Sequence, residues 1–263
     1  MQRPRLSVTF ITLNEASKIE QSLKAAAFAD ERIVVDSGST DGTPEIAARL
    51  GAKVFHNPWP GFGQQKNFAA DKASNDWVLN LDADEVLPPE LVHEIKEWLT
   101  AQQVHLESGG IPAILSLPRK TFYHSQWIRY GGWYPNAVAR LSHRKYARWT
   151  EPEIHERLEG TGPVQVTQNP LLHYSFDSIG DQISTNLRYA RLGSRELSRR
   201  GQRFSLIRLL FKPISKFVEC FFWKGGFLDG RLGLIIAVNA AHSMFLKQAF
   251  LLESEGSKQG VTQ

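Results

Sequence analysis

Asp82 and Asp84 stand two residues apart directly after the apolar run Trp77-Val78-Leu79-Asn80-Leu81. Carboxylates at i and i+2 beyond a strand end can place oxygens on one hard divalent cation, and such a cation typically bridges to substrate phosphates. A second acidic turn, Asp36-Ser37-Gly38-Ser39-Thr40-Asp41-Gly42-Thr43, follows the apolar run Ile33-Val34-Val35. A carboxylate there can accept from a ribose hydroxyl or a base N–H, and the glycines let backbone approach a ligand closely. Taken singly, each pattern also reads as an ordinary turn leading into a helix. Glu151, Glu153 and Glu156 form a third group, and each is a candidate general base.

Positioning these groups requires alternating strands and helices. Residues 7–12, 32–36, 53–56 and 77–81 read as strands. Between them the spacing predicts a helix capped by Asn14 with Ile19, Leu23 and Ala26 on one face, a helix with Thr43 as cap and Pro44 first, and a helix over 64–72. Polar residues thus gather at the carboxyl ends of parallel strands, where open α/β sheets bind ligands. Pro88-Pro89 starts the next helix, beyond which longer β-type runs follow at 113–122, 137–141 and 164–167, and from residue 178 the pattern is helical over 179–200, 204–223 and 232–252.

Composition narrows the class. The 263 residues are 42% hydrophobic and 22% charged, which excludes a disordered or collagen-like chain. Cys220 is the single cysteine, so neither a disulfide framework nor a cysteine-based zinc site is available. The N-terminus shows no signal-peptide pattern, and a reducing cytosolic compartment is expected. Neither G-x-G-x-x-G nor a P-loop is present, which disfavours dinucleotide cofactors and Walker-type hydrolysis. Segment 122–149 holds eight of the 28 aromatics, about a threefold enrichment that suits a sugar-binding groove including Trp127, Trp133, Tyr134 and Trp149, or core packing.

Four motifs in order, Thr9-Phe10-Ile11-Thr12-Leu13-Asn14-Glu15, Val35 to Thr43, Gln65-Lys66-Asn67 and Leu81-Asp82-Ala83-Asp84-Glu85, resemble the nucleotide-sugar half of inverting family 2 glycosyltransferases of the GT-A fold. Gly132-Trp133-Tyr134-Pro135, Arg140-Leu141 and Ile154-His155-Glu156 are similar to the acceptor half of the bacterial lipopolysaccharide-core β-1,4-glucosyltransferases. The resemblance covers roughly residues 6–175. It implies an α/β fold with a Rossmann-like nucleotide-binding half and a mixed sheet over 1–176, divided near residue 86, followed by basic amphipathic helices over 177–263.

Carried over residue by residue, the resemblance implies Asn14 and Glu15 near the nucleoside, Asp36 and Asp41 on the uridine and ribose, and Lys66 on the diphosphate. Asp82 and Asp84 would hold the donor and a Mg2+ or Mn2+ ion, with His155 as a further metal or phosphate contact and Arg140 facing the donor phosphates. Trp133, Tyr134 and Trp149 would line the acceptor site. Glu156 matches the family's His-Glu pair and is the first choice of base, ahead of Glu153; many members carry Glu-Asp there. The implied reaction moves a hexose from a UDP-sugar, with UDP-glucose the first candidate, to the heptose region of a lipid-linked lipopolysaccharide core.

The charge is unevenly distributed. Residues 178–231 carry eleven Arg/Lys against four acids, net +7, while the whole chain carries +4. In 204–218 the cations Arg208, Lys212 and Lys216 recur every fourth residue while Ile207, Leu210, Phe211, Ile214, Phe217 and Val218 cover much of the remainder; Pro213 should kink the helix or restart it. No uninterrupted apolar run reaches the roughly 18 residues of a membrane span, so this region is expected to lie on an anionic membrane surface, peripheral on the cytosolic face of the inner membrane. Two rival functions follow from the same residues. A nucleotidyltransferase would share the nucleotide-binding half but need a triphosphate loop after the first strand, and a nucleic-acid-binding module would use the +7 segment; the interleaved Phe211, Phe217, Phe221, Phe222 and Trp223 favour a membrane over nucleic acid.

Overall fold

The first strand, β1 (Leu6–Thr12), is buried along its whole length, as a strand covered on both faces by helices must be. The computed structural model describes residues 3–152 and 156–259. Chain order continues with α1 (Ile19–Ala25), β2 (Glu31–Asp36), α2 (Thr43–Arg49), β3 (Lys53–His56), α3 (Phe62–Lys72), β4 (Trp77–Asp82), β5 (Glu85–Val86) and α4 (Pro89–Glu107). Strand β1 lies between β2 and β4, parallel to both, and β2 pairs in parallel with β3. Successive side chains go to opposite faces. Val8, Phe10 and Val34 therefore join Leu79, Leu91, Ile95 and Leu99 in the larger core, and Ile11, Ile33, Val35 and Ala69 form the other.

The sheet then becomes mixed. After β6 (Ile114–Tyr123) and β7 (Gln126–Trp127), β8 (Ala137–His143) returns antiparallel to β4, with Leu79 opposite Leu141. The hairpin β9 (Ala147–Trp149) with β10 (Leu158–Gly160), then β11 (Val164–Val166) and β12 (Leu171–Phe176), complete the strands. Their order is β3-β2-β1-β4-β8-β6-β12-β5. This is the GT-A arrangement expected from the motifs.

The chain divides into two compact units, 1–119 with 136–173, and 120–135 with 174–263. The sequence places 120–135 with the acceptor half, whereas the structure packs it with the C-terminal helices α5 (Ile179–Arg199), α6 (Leu206–Val218) and α7 (Gly230–Gln259). The reason lies in buried polar groups that need partners. The Tyr123 hydroxyl donates to Gln182 (3.0 Å), and Asp229 accepts from the Tyr130 (2.9 Å) and Arg129 (3.3 Å) backbone N–H groups.

Three local expectations change. Asn14 does not cap α1, which starts after Lys18; its side chain takes the Thr40 N–H instead (2.9 Å). Gly42, at φ 89°, is the residue before α2, so Thr43 is already helical. Pro213 neither ends nor restarts its helix, since α6 runs through it from Leu206 to Val218. Among the described residues one stretch, Gly226–Glu255, is long and apolar enough by length and composition to cross a membrane. The polar Asn239, His242 and Lys247 interrupt its sequence, which is why no unbroken run is visible there.

Candidate active site

The carboxyl ends of β1, β2 and β4 carry the acidic residues. Beyond β1 the chain turns at Asn14, whose φ of 58° is left-handed, a conformation that asparagine tolerates well. Its N–H donates to Ser39 Oγ (2.8 Å), tying the β1 loop to the β2 loop. Asp36 is buried, and both its oxygens are engaged: Oδ2 accepts from the Gly38 and Ser39 N–H groups, Oδ1 from the Thr12 and Ser39 hydroxyls. Burial pushes this carboxyl up, but the four hydrogen bonds outweigh it and hold Asp36 below the usual range. Asp41 accepts from Thr43 and from the Ala16 N–H (2.9 Å), a further tie to the β1 loop. These two aspartates thus fix the loop's shape.

At the end of β4 the carboxylates meet cations brought from far along the chain. Arg140, on β8 and only 3% exposed, places Nη2 2.5 Å from both Asp82 Oδ2 and Glu85 Oε1. Glu85 is fully buried, and its second oxygen accepts the Asp82 N–H (3.0 Å). Burial alone would raise the Asp82 carboxyl; Arg140 and then Lys66 overcome this and hold it far below the usual range. Lys66 on α3, also 3% exposed, lies 2.6 Å from Glu156 Oε1, 3.8 Å from Asp82 Oδ1 and 4.4 Å from the Trp149 ring centroid. A strand-end carboxylate and the first-choice base are therefore one ammonium apart. Glu153 and His155 lie outside the described residues.

Helix α3 is locked against the loop that carries Glu156. A Cβ on Gly63 would fall 1.8 Å from the Thr150 carbonyl oxygen, so only glycine permits this approach. Asn67 donates to the Trp149 carbonyl (2.9 Å) and Glu151 Oε1 (2.9 Å) and accepts the Trp149 N–H (3.0 Å). The sequence quotes Asn67 and Glu151, but only the fold gives them this positioning role. Glu85 stands in the motif Leu81-Asp82-Ala83-Asp84-Glu85 without a role of its own, and His173 is not among the candidate residues. The β12–β5 pairing sets His173 opposite Glu85, and its Nε2 lies 3.3 Å from Asp84 Oδ2. For Glu85 the signal was its place directly after Asp84; for His173 the sequence offers none.

Glu15 shows what this acidic grouping does. Burial first, then the charges of Asp84, Asp82 and Asp41 against an opposing Lys18, raise its carboxyl to about 7. Excess carboxylate at one place, all of it hard oxygen, suits Mg2+ or Mn2+. Among the described residues no three His, Cys, Asp or Glu side chains form a closed ligand set. An ion held by one or two carboxylates and substrate phosphates would fit that composition, and Asp84 and Asp82 are the carboxylates that could hold it. Because the folded pKa of Glu15 lies above its unfolded 4.5, its penalty is absent below pH 4.5 and complete above pH 7. In EDTA, Glu15→Gln is expected to raise unfolding free energy by about 2 kcal/mol at pH 8 and to change nothing at pH 4. Denaturant titrations at the two pH values check this.

The aromatic residues divide between the units. Trp149, 9% exposed, underlies Lys66 in the first. In the second, Trp133 packs edge-on against Tyr123 and Phe176 as core, and half-buried Tyr134 meets Trp127 at 5.6 Å. Lys120 and Arg129 lie 4.4 and 4.2 Å from the Trp127 ring centroid.

A parallel half ending in paired carboxylates and continued by antiparallel strands is the arrangement of the GT-A fold. The sequence profile of glycosyl transferase family 2 matches residues 7–162, and the chain belongs to that family. It is 31% identical over 95% of its length to an uncharacterized glycosyltransferase of Rickettsia bellii, covering 86% of that protein. It is 28% identical to the lipopolysaccharide core biosynthesis glycosyltransferase LpsC of Rhizobium meliloti, covering 96% of this chain and 94% of that one. A crystal structure of Mycobacterium tuberculosis glucosyl-3-phosphoglycerate synthase with Mn2+, uridine diphosphate and glucosyl-3-phosphoglycerate is 30% identical, covering 46% of this chain and 44% of that one at a TM-score of 0.34. An overlap that partial transfers no site geometry.

Proposed function

We propose that this glycosyltransferase moves a hexose, glucose in the first instance, from a UDP-sugar to a lipid-linked oligosaccharide, the heptose region of a lipopolysaccharide core, with inversion at the anomeric carbon. On this reading it works on the cytosolic face of the inner membrane. The observation that carries it is Lys66, which meets Glu156 from 90 residues away in sequence and also faces Asp82. On this reading a diphosphate-binding cation, a donor-binding carboxylate and a base share one small volume. The likeness to LpsC over nearly both chains supports the acceptor class.

The β1 and β2 loops, stapled by Asn14, Asp36 and Asp41, receive the nucleoside beside Glu15. Lys66 and Arg140 present positive charge towards the diphosphate. A bound divalent cation, held by Asp84 and Asp82, would neutralise the diphosphate as negative charge develops on it. Glu156 accepts the proton of the acceptor hydroxyl as that oxygen bonds to the anomeric carbon and the bond to the diphosphate oxygen breaks. Attack from the face opposite the leaving group inverts the configuration, and no covalent enzyme intermediate forms.

Calorimetric titration with UDP and UDP-glucose tests the donor site. Binding in Mn2+ or Mg2+ that disappears in EDTA is expected; absence of binding under every condition overturns the reading. For the base, Glu156→Gln is expected to lower turnover about a thousandfold with UDP binding retained, whereas Glu153→Gln stays within about threefold. A reversed order would transfer the role to Glu153.

A further inference from the structure

The second unit carries an apolar surface that the transfer reaction does not use. Residues 206–252 hold 14 of the chain's 25 exposed large hydrophobic side chains among those described, so this exposure is concentrated rather than scattered. On α6 no residue is buried, although the helix packs on α7. Ile207, Leu210, Phe211, Ile214 and Val218 recur on one helical face and are 42 to 70% exposed. The face continues past α6. Phe217 stacks on Phe221 at 5.3 Å, Phe221 meets Phe222 at 5.1 Å and Phe227 at 6.3 Å, and Trp223 is 85% exposed.

The charge beside this face is positive. Arg208 and Lys212 lie on the adjoining stripe of α6, and Arg203 and Arg231 flank it in sequence. Among the described residues no ion pair involves any of these four, whereas Glu219 is already engaged by Lys216 and Lys224. Asp229 is spent on backbone N–H groups. An apolar stripe with a basic flank and an exposed tryptophan matches the interface of an anionic bilayer, where acyl chains take the apolar groups and headgroups the cations. Nucleic acid would leave the apolar stripe in water.

We propose that α6 and the turns over 219–229 form a monotopic docking face for anionic phospholipid, with α6 lying in the headgroup plane and Trp223 anchored at the interface. Helix α7 is then the platform beneath α6 and does not cross the bilayer. The inference rests on the reading above for the lipid-linked acceptor that such docking would serve.

Cosedimentation of the full chain with phosphatidylglycerol-containing and with pure phosphatidylcholine vesicles tests it. Binding is expected to be at least tenfold tighter to the anionic vesicles, to weaken with salt and to be released by alkaline carbonate. Phe211→Ser with Trp223→Ser is expected to lose binding at least tenfold, and Arg208→Glu with Lys212→Glu to lose the anionic preference. Both pairs should keep the parent's thermal midpoint and UDP titration. Equal vesicle binding by parent and variants, or no binding by the parent, overturns the proposal. So does resistance to carbonate, which would mean that α7 spans, or a lipid-free dimer that the apolar variants dissociate. Loss of UDP binding with vesicle binding intact would overturn the donor assignment alone.

Discussion

Asp84→Ala is expected to reduce hexosyl transfer about a thousandfold or more while leaving the fold intact. The Asp84 side chain lies at the mouth of the site, about a fifth exposed, with His173 Nε2 at 3.3 Å. It is not a sealed core position, and its loss also removes a charge that opposes Glu15, so stability should change by about 1 kcal/mol or less. Transition-state charge on a departing diphosphate is worth several kcal/mol to a well-placed cation, and about 4 kcal/mol corresponds to a thousandfold in rate. Turnover in saturating Mn2+, read beside a thermal melt, gives the result. An unchanged rate would remove Asp84 from the metal site.

Arg140→Met should act on the opposite quantity. Arg140 is the cation between Asp82 and the fully buried Glu85, and its own guanidinium is held strongly protonated by those carboxylates against the cost of burial. Removing one partner of a buried pair costs roughly 3–5 kcal/mol. With Lys66 still 3.8 Å from Asp82 and Arg119 4.0 Å from Glu85, the loss should fall near the lower end, about 3 kcal/mol. For a protein of this size that corresponds to a fall of about 10 °C in Tm. Arg140→Lys should recover only part of it, because one ammonium lacks the planar fork that serves two carboxylates. Arg140→Met combined with Glu85→Gln should return much of the lost stability and little of the activity. Calorimetric melts of the four proteins separate these cases, and equal Tm values for parent and Arg140→Met would show that the pair is not buried as described.

Much of the parallel half was legible in the sequence because its information is local. The run 53–56 is the observed β3, and the Pro88-Pro89 start places α4 correctly, since period, β-branching and proline geometry act over a few residues. The carboxylates at strand ends were visible for the same reason, although their partners were not. Asn14 sits where a helix cap is expected, yet a neighbouring loop competes for its side chain and wins.

The sequence by itself determined the family, the alternation of strands and helices, and which residue types could bind a donor and take a proton. Only the tertiary structure decided that Lys66 meets Glu156, that Arg140 joins Asp82 to Glu85, that Asp36 is consumed in shaping its own loop and that 120–135 belongs with the helices. The physical reason is that periodicity specifies which face of an element is apolar, not which distant element covers it. Such pairings are set by sheet order and by buried polar groups finding partners far along the chain.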